Sequence, residues 1–150
     1  MTDRSAYAKQ LSSMRYWLLG RNWMTALKAF EFAQGHHDGV RKDGFSPEFS
    51  HQMFIAGYAR TLAHSLLNPE ETLAAIFLHD VCEDYPVSFE EIGSRFGAGV
   101  RVPVELLTKK KDGVRIPDDI YYNRMGDDPV ASIAKGLDRA HNIFTMSAAG

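Results

Sequence analysis

Apolar residues recur at helical spacing along most of the chain. Between 22 and 36 (NWMTALKAFEFAQGH), Trp23, Leu27, Phe30 and Phe32 mark one face. Between 51 and 67 (HQMFIAGYARTLAHSLL), Phe54, Tyr58, Leu62 and Leu66 repeat the pattern. Helix starts are signposted. Ser46-Pro47-Glu48 and Asn68-Pro69-Glu70-Glu71 each set a capping side chain before a proline at the first helical position. Ser88-Phe-Glu-Glu91 reads as a capping box. Asp128-Pro129 opens a last helix over 129–146. Val100–Lys110 also reads as helix, with Pro103 expected in its first turn. Breaks fall at 35–44 and 97–99, and Asp112-Gly113 closes a segment. No stretch alternates as a strand does. The expected fold is all-α, compact, with six or seven helices.

One run breaks the amphipathic pattern. Leu73-Ala-Ala-Ile-Phe-Leu78 has no polar face and reads as core, yet it leads straight into His79-Asp80-Val-Cys-Glu83-Asp84. On a helix over 70–84, His79 lies under Glu83 and Asp80 under Asp84, because residues four apart share a face. Crowded carboxylates at the end of an apolar helix repel one another and resist desolvation. A divalent cation removes that conflict: it takes the His and Asp as ligands and leaves the other acids for water or proton handling. A solvated helix end accounts for the same four residues.

Elsewhere, KGLDRAHNIFTM (135–146) puts Asp138 and Asn142 on one stripe, with Lys135 and Thr145 near it, on an otherwise apolar helix. His51 begins a third apolar segment. Upstream of it, Arg41-Lys42 sit in a Gly-flanked loop. That pair suits phosphates or a phosphate with a stacked base, and equally an ordinary exposed basic turn.

Composition narrows the class. A chain of 150 residues is long enough for one domain with a real core. A net charge of −2 draws it neither to nucleic acid polymers nor to anionic membranes. No apolar run approaches the roughly 18–20 residues that span a bilayer, and the first residues lack a signal-peptide layout. The single cysteine, Cys82, excludes an internal disulfide and reads as a small buried hydrophobe. These features fit a cytoplasmic protein. Oligomeric state is not legible.

Taken in order, Arg41-Lys42 with Gly44, His51, His79-Asp80-x-x-Glu83-Asp84 and Asp138-Arg139-x-x-Asn142 resemble the HD superfamily of metal-dependent phosphohydrolases. More narrowly, they resemble the hydrolase domain of RelA/SpoT-type proteins and the small alarmone hydrolases. Phe89-Glu-Glu-Ile92, Phe96-Gly97 and Leu107-Thr108-Lys109 support the match, which runs from about 25 to 147. The resemblance implies one HD-type domain over 1–150. It implies His51, His79, Asp80 and Asp138 as metal ligands, with Mn²⁺ the usual metal and other divalent transition metals compatible. It implies Glu83 and Asp84 as the acids that position and activate water, one of them with a pKa raised by its neighbour. Arg41 and Lys42 would face base and phosphates, and Asn142 and Thr145 the sugar or a nearby phosphate. The implied reaction removes the 3′-pyrophosphate of guanosine tetra- or pentaphosphate. Another nucleotide as substrate, or a metal-bound nucleotide sensor without turnover, are the competing readings. Two departures stand out. The segment Gly44-Phe-Ser-Pro-Glu-Phe-Ser-His51 is one residue longer than the family's, and the chain stops soon after Thr145 where members carry further helices, as a minimal or truncated version would.

Overall fold

The computed structural model describes residues 3–40, 44 and 47–149, with side chains for 5–40, 44 and 47–142. Among these residues there are nine α-helices and one two-stranded hairpin. In chain order they are α1 (Asp3–Gly20), α2 (Met24–His36), α3 (Ser50–Thr61), α4 (Pro69–Leu78), α5 (Val81–Asp84), α6 (Phe89–Phe96), α7 (Ala98–Leu107), β1 (Lys110–Lys111), β2 (Val114–Arg115), α8 (Asp118–Met125) and α9 (Pro129–Ala149). A single 3₁₀ turn at Ala63–Ser65 follows α3.

The fold is organised around α4. Leu73 through Leu78 have no exposed surface, which is why that run has no polar face: a helix apolar on all sides is surrounded on all sides. It packs against α2, α3, α7 and α9. Phe77 meets Phe30 of α2 edge-on at 5.4 Å between ring centroids. Its ring lies 6.2 Å from that of Phe49, just before α3. Helix α1 lies on α2 and α3, and α6 pairs with α7. Cys82 is buried, and that burial pushes its thiol up to about 11, so it stays a neutral hydrophobe.

The caps agree in part. Pro69 opens α4 as expected, but Asn68 serves through its carbonyl, which accepts from Thr72 N and Oγ1. Ser88 Oγ accepts from Glu91 N at 3.1 Å, the first half of a capping box. The Glu91 carboxylate turns instead to Arg95 Nε at 2.8 Å. Asp128 Oδ1 accepts from Ala131 N at 2.9 Å and starts α9.

Four details differ from the sequence reading. Pro47 does not open a helix: it bridges back to Val40, and α3 begins at Ser50. Pro103 is buried inside α7 rather than in its first turn, because the helix starts at Ala98 straight after Gly97. The 70–84 run is two helices, with His79 and Asp80 at the turn between them. Lys110–Arg115 folds as a hairpin with Lys110 opposite Arg115 and Lys111 opposite Val114. Its turn, Asp112-Gly113, has φ of 53° and 82°, the primed geometry that Asp-Gly favours.

Candidate active site

Burial of α4 carries His79 to the floor of a pocket and leaves its ring almost no freedom. Nδ1 lies 2.7 Å from the Ile76 carbonyl oxygen. A carbonyl only accepts, so this contact fixes a proton on Nδ1 and makes Nε2 the nitrogen that can offer a lone pair once its own proton is displaced. Nε2 is buried and makes no hydrogen bond. Two carboxylates stand in front of it: Asp80 Oδ2 at 3.3 Å and Asp138 Oδ1 at 3.4 Å. His51, from the first turn of α3, brings Nε2 to 2.7 Å from Asp138 Oδ1. The atoms offered by His51, His79 and Asp80 lie within 4.8 Å of one another. Three regions of the chain far apart in sequence thus deliver two imidazoles and two carboxylates to one point.

That donor set fits a divalent cation. Nitrogen and oxygen donors in this ratio suit Mn²⁺, Fe²⁺, Co²⁺ or Zn²⁺. A buried imidazole nitrogen, aimed at two carboxylates and hydrogen-bonded to neither, fits the role of a ligand atom. The surrounding groups hold these donors in place. Gln52 Nε2 donates to Asp80 Oδ2 at 3.1 Å, and Lys135 Nζ to Asp138 Oδ2 at 3.1 Å. His141, one helical turn after Asp138 on α9, lies Nδ1 to Nδ1 against His51 at 2.6 Å. Its ring is stacked between those of His51 and Phe54.

The cluster is charged against its own burial. Burial alone would lower the His79 pKa, but the charges of Asp80 and Asp138 outweigh it and raise it to about 9. Burial pushes Asp138 upward, but the His51 hydrogen bond and the His79 and Lys135 charges hold it well below the usual carboxylate range.

The two acids of α5 part company. Glu83 faces the pocket, and its Oε1 accepts from the backbone amides of Lys109 at 2.5 Å and Lys110 at 3.2 Å. Asp84 faces the other way, toward His37 and Glu48. Partial burial, and then the Asp80 charge, raise the Asp84 carboxyl above its ordinary value, with its expected partner Glu83 only a lesser cause. His37, Glu48 and Asp84 also bring donor atoms within 4.8 Å of one another. Glu48 Oε1 is already engaged by His37 Nδ1 at 2.9 Å and by the Tyr85 hydroxyl, which donates at 2.6 Å. His37 Nε2 is buried without a partner, but its ring is packed against Phe49 and Tyr85. We read this second group as a hydrogen-bonded tie. It fastens the loop after α2, closed by Glu48 N donating to the Gly39 carbonyl at 2.8 Å, onto the end of α5.

Of the other expected site residues, Asn142 lies one turn beyond Asp138 on α9, with an exposed side chain. Thr145 is on the same helix, but its side chain lies outside the described residues, as do Arg41 and Lys42 altogether. The pocket is lined by Lys135, which the sequence places beside the Asp138 stripe, by Lys109 of the supporting family match, by Tyr121 from the segment before the last helix, and by Lys110 and Arg115, which sequence reasoning did not choose. Tyr121 is held there by its hydroxyl, which donates to the Leu107 carbonyl at 2.9 Å. For Lys110 and Arg115 the one available signal was Asp112-Gly113, a hairpin turn flanked by cations. Gln52 carried no signal, since its role exists only once α3 and α4 meet, whereas His141, one residue off the stripe of Asp138 and Asn142, is expected as a supporting residue and is found against His51.

The chain is similar to proteins of known type. An HD domain matches residues 29–117. A guanosine-3′,5′-bis(diphosphate) 3′-pyrophosphohydrolase of Spiroplasma citri is 32% identical over 127 residues, covering 79% of this chain and 16% of that protein. A probable enzyme of the same name from Synechocystis sp. is 33% identical over 129 residues, 81% of this chain and 16% of that protein. The bifunctional (p)ppGpp synthase/hydrolase SpoT of Escherichia coli is 29% identical over 127 residues, 79% of this chain and 18% of that protein. The chain therefore spans less than a fifth of the length of these relatives. No helix among the described residues is long and apolar enough to cross a membrane.

Proposed function

The chain belongs to the HD-domain family of metal-dependent hydrolases, and from that premise we propose that it removes the 3′-pyrophosphate of guanosine tetra- or pentaphosphate, giving GDP or GTP and pyrophosphate. The observation that carries the reading is the buried, unpartnered Nε2 of His79 facing Asp80 and Asp138, with His51 alongside. The relatives' names supply the substrate.

His51, His79, Asp80 and Asp138 hold the cation, which we take to be Mn²⁺. A divalent cation so held supplies Lewis acidity toward a phosphate oxygen and a water of lowered pKa. His79 contributes Nε2 because Ile76 occupies its Nδ1 proton. Glu83 keeps Oε2 for a water proton while Oε1 is bonded to the hairpin backbone. Asp84 is assigned to proton handling from the family resemblance; its carboxyl is raised by partial burial and the Asp80 charge, and it faces His37 and Glu48 on the other side of α5 from the pocket. Lys135 stabilises the ionised Asp138. Arg41, Lys42, Asn142 and Thr145 are assigned to base, sugar and phosphate from the family resemblance. One HD-type domain in the cytoplasm, acting on a small nucleotide, completes the reading.

The test is purified protein, Mn²⁺ and guanosine tetraphosphate, with chromatography of the products. Release of GDP and pyrophosphate, lost in Asp80→Ala and after chelation, is the expected result. Full activity in either refutes the mechanism. A second reading keeps the chemistry and changes the nucleotide. It is favoured by the segment before His51, one residue longer than the family's. A panel of nucleotides scored for phosphate, pyrophosphate or dephosphorylated product separates the two.

A further inference from the structure

The cations lining the pocket are not equally available. Lys109 Nζ is paired with the Asp118 carboxylate. Lys135 Nζ donates to Asp138. Lys111 is not among the lining residues: its Nζ donates to the Cys82 and Val87 carbonyls at 3.0 and 2.7 Å. Lys110 and Arg115 also line the pocket, and neither forms an ion pair among the described residues. These two are directly opposed across the hairpin. Side chains of an opposed pair project from the same face of the ribbon, with Cβ atoms about 4.5–5.5 Å apart, and like charges placed there repel. Successive residues of a strand face opposite ways. Lys111 faces α5 and the segment after it, so Lys110 faces the pocket.

The fold holds this repulsive pair firmly in place. Glu83 accepts from Lys109 N and Lys110 N, and Ile116 N donates to the Lys109 carbonyl at 2.9 Å. Asp112-Gly113 supplies the tight turn. Asp118, paired with Lys109, also feels the charge of Arg115, but it does not neutralise both cations of the hairpin. Two cations without an ion pair among the described residues, side by side at a pocket that holds His79, Asp80 and Asp138, are the complement of a multiply charged anion.

We propose that Lys110 and Arg115 form an anion clamp for a phosphate group of the substrate remote from the bond being cleaved. The proposal rests on the function given above. The substrate named for the relatives carries one diphosphate at 3′, where cleavage occurs, and a second at 5′. With the 3′ group at the His and Asp donors, the 5′-diphosphate meets the clamp. The clamp then makes this site selective for nucleotides charged at both ends.

The experiment compares Mn²⁺-loaded wild-type protein with the double variant Lys110→Gln/Arg115→Gln, which keeps long polar side chains and removes the charge. Substrates are guanosine 3′,5′-bis(diphosphate) and guanosine 3′-diphosphate with a free 5′-hydroxyl. In the variant, KM for the first should rise about 10- to 100-fold with kcat little changed. KM for the second should not move, so the wild-type preference collapses. A preference that survives overturns the clamp. If the wild type hydrolyses neither compound, the same proteins are titrated with pyrophosphate by calorimetry. Binding weakened at least tenfold in the variant then keeps the clamp while the substrate reading falls, and equal binding overturns the clamp. Thermal melts guard against a structural role. Loss of repulsion should leave the melting temperature unchanged or raise it, and a fall parallel to the loss of binding overturns the proposal.

Discussion

Glu83 holds two jobs on one carboxylate, and two substitutions separate them. Oε1 anchors the hairpin through two backbone amides, at 2.5 and 3.2 Å. Oε2 is left for proton transfer. Glutamine keeps an acceptor oxygen for the amides and exchanges the other oxygen for NH₂. Alanine removes both. Hydrogen bonds to a charged group contribute about 1.5–3 kcal/mol, and the half-buried position of Glu83 argues for the lower end, about 1.5–2 kcal/mol. At the 2–4 °C per kcal/mol typical of a chain this long, Glu83→Ala should melt about 3–8 °C below wild type. Glu83→Gln should lose less than half of that. Amide exchange at Lys109 and Lys110 should accelerate in the alanine variant and stay near wild type in the glutamine variant. Both should lower kcat by about 10²–10⁴, the usual contribution of a positioned acid or base, with Mn²⁺ still bound. Differential scanning calorimetry, hydrogen exchange and product assays read the three effects separately. Glutamine and alanine variants with equal melting temperatures and equal amide exchange would refute the anchoring role. A glutamine variant with wild-type kcat would refute the catalytic one.

Three further outcomes follow from the same geometry. His141→Phe keeps a ring against Phe54 but strands His51 Nδ1, so Mn²⁺ affinity should fall about 10- to 100-fold, as for other supports of a ligand histidine; unchanged affinity by calorimetry contradicts this. In metal-free protein the His79 pKa is raised from its ordinary 6.5 to about 9, so its stabilising charge is fully present below 6.5 and is lost as pH rises through 9. The melting temperature of chelator-treated protein should decline across that window, Mn²⁺ affinity should rise across it as the competing proton leaves, and His79→Gln should flatten both trends. Phe77→Ala deletes a fully buried ring that meets Phe30 and Phe49 and should cost about 3–5 kcal/mol, read by urea denaturation; a loss below about 1 kcal/mol refutes its place at the centre of the core.

Much of the architecture was legible in the pattern of apolar positions. The all-α class, the starts of α4, α6 and α9, and the burial of Leu73 to Leu78 follow from periodicity and capping, which act between residues close in the chain. His79 and Asp80 could be singled out because they end an apolar run, and His51 and Asp138 because the family spaces its ligands in that order. Local rules failed where a distant partner decides. The free amides of Thr25 and Ala26 at the start of α2 are met by the Glu70 carboxylate, more than forty residues away, so no cap could be read near Trp23. The hairpin was missed because a two-residue strand has almost no period, and because its stability comes from Glu83 and Lys111 reaching across from and onto α5. On a continuous helix Glu83 and Asp84 looked like one acidic pair. Only tertiary structure separates them, turning Glu83 to the hairpin and pocket and Asp84 to His37 and Glu48. Sequence by itself determined which side chains could bind a cation, since donor chemistry belongs to the residue. Which nitrogen points at which carboxylate, and which lysine and which arginine at the pocket are left without an ion pair among the described residues, was decided by packing, since both depend on contacts between segments that the chain keeps far apart.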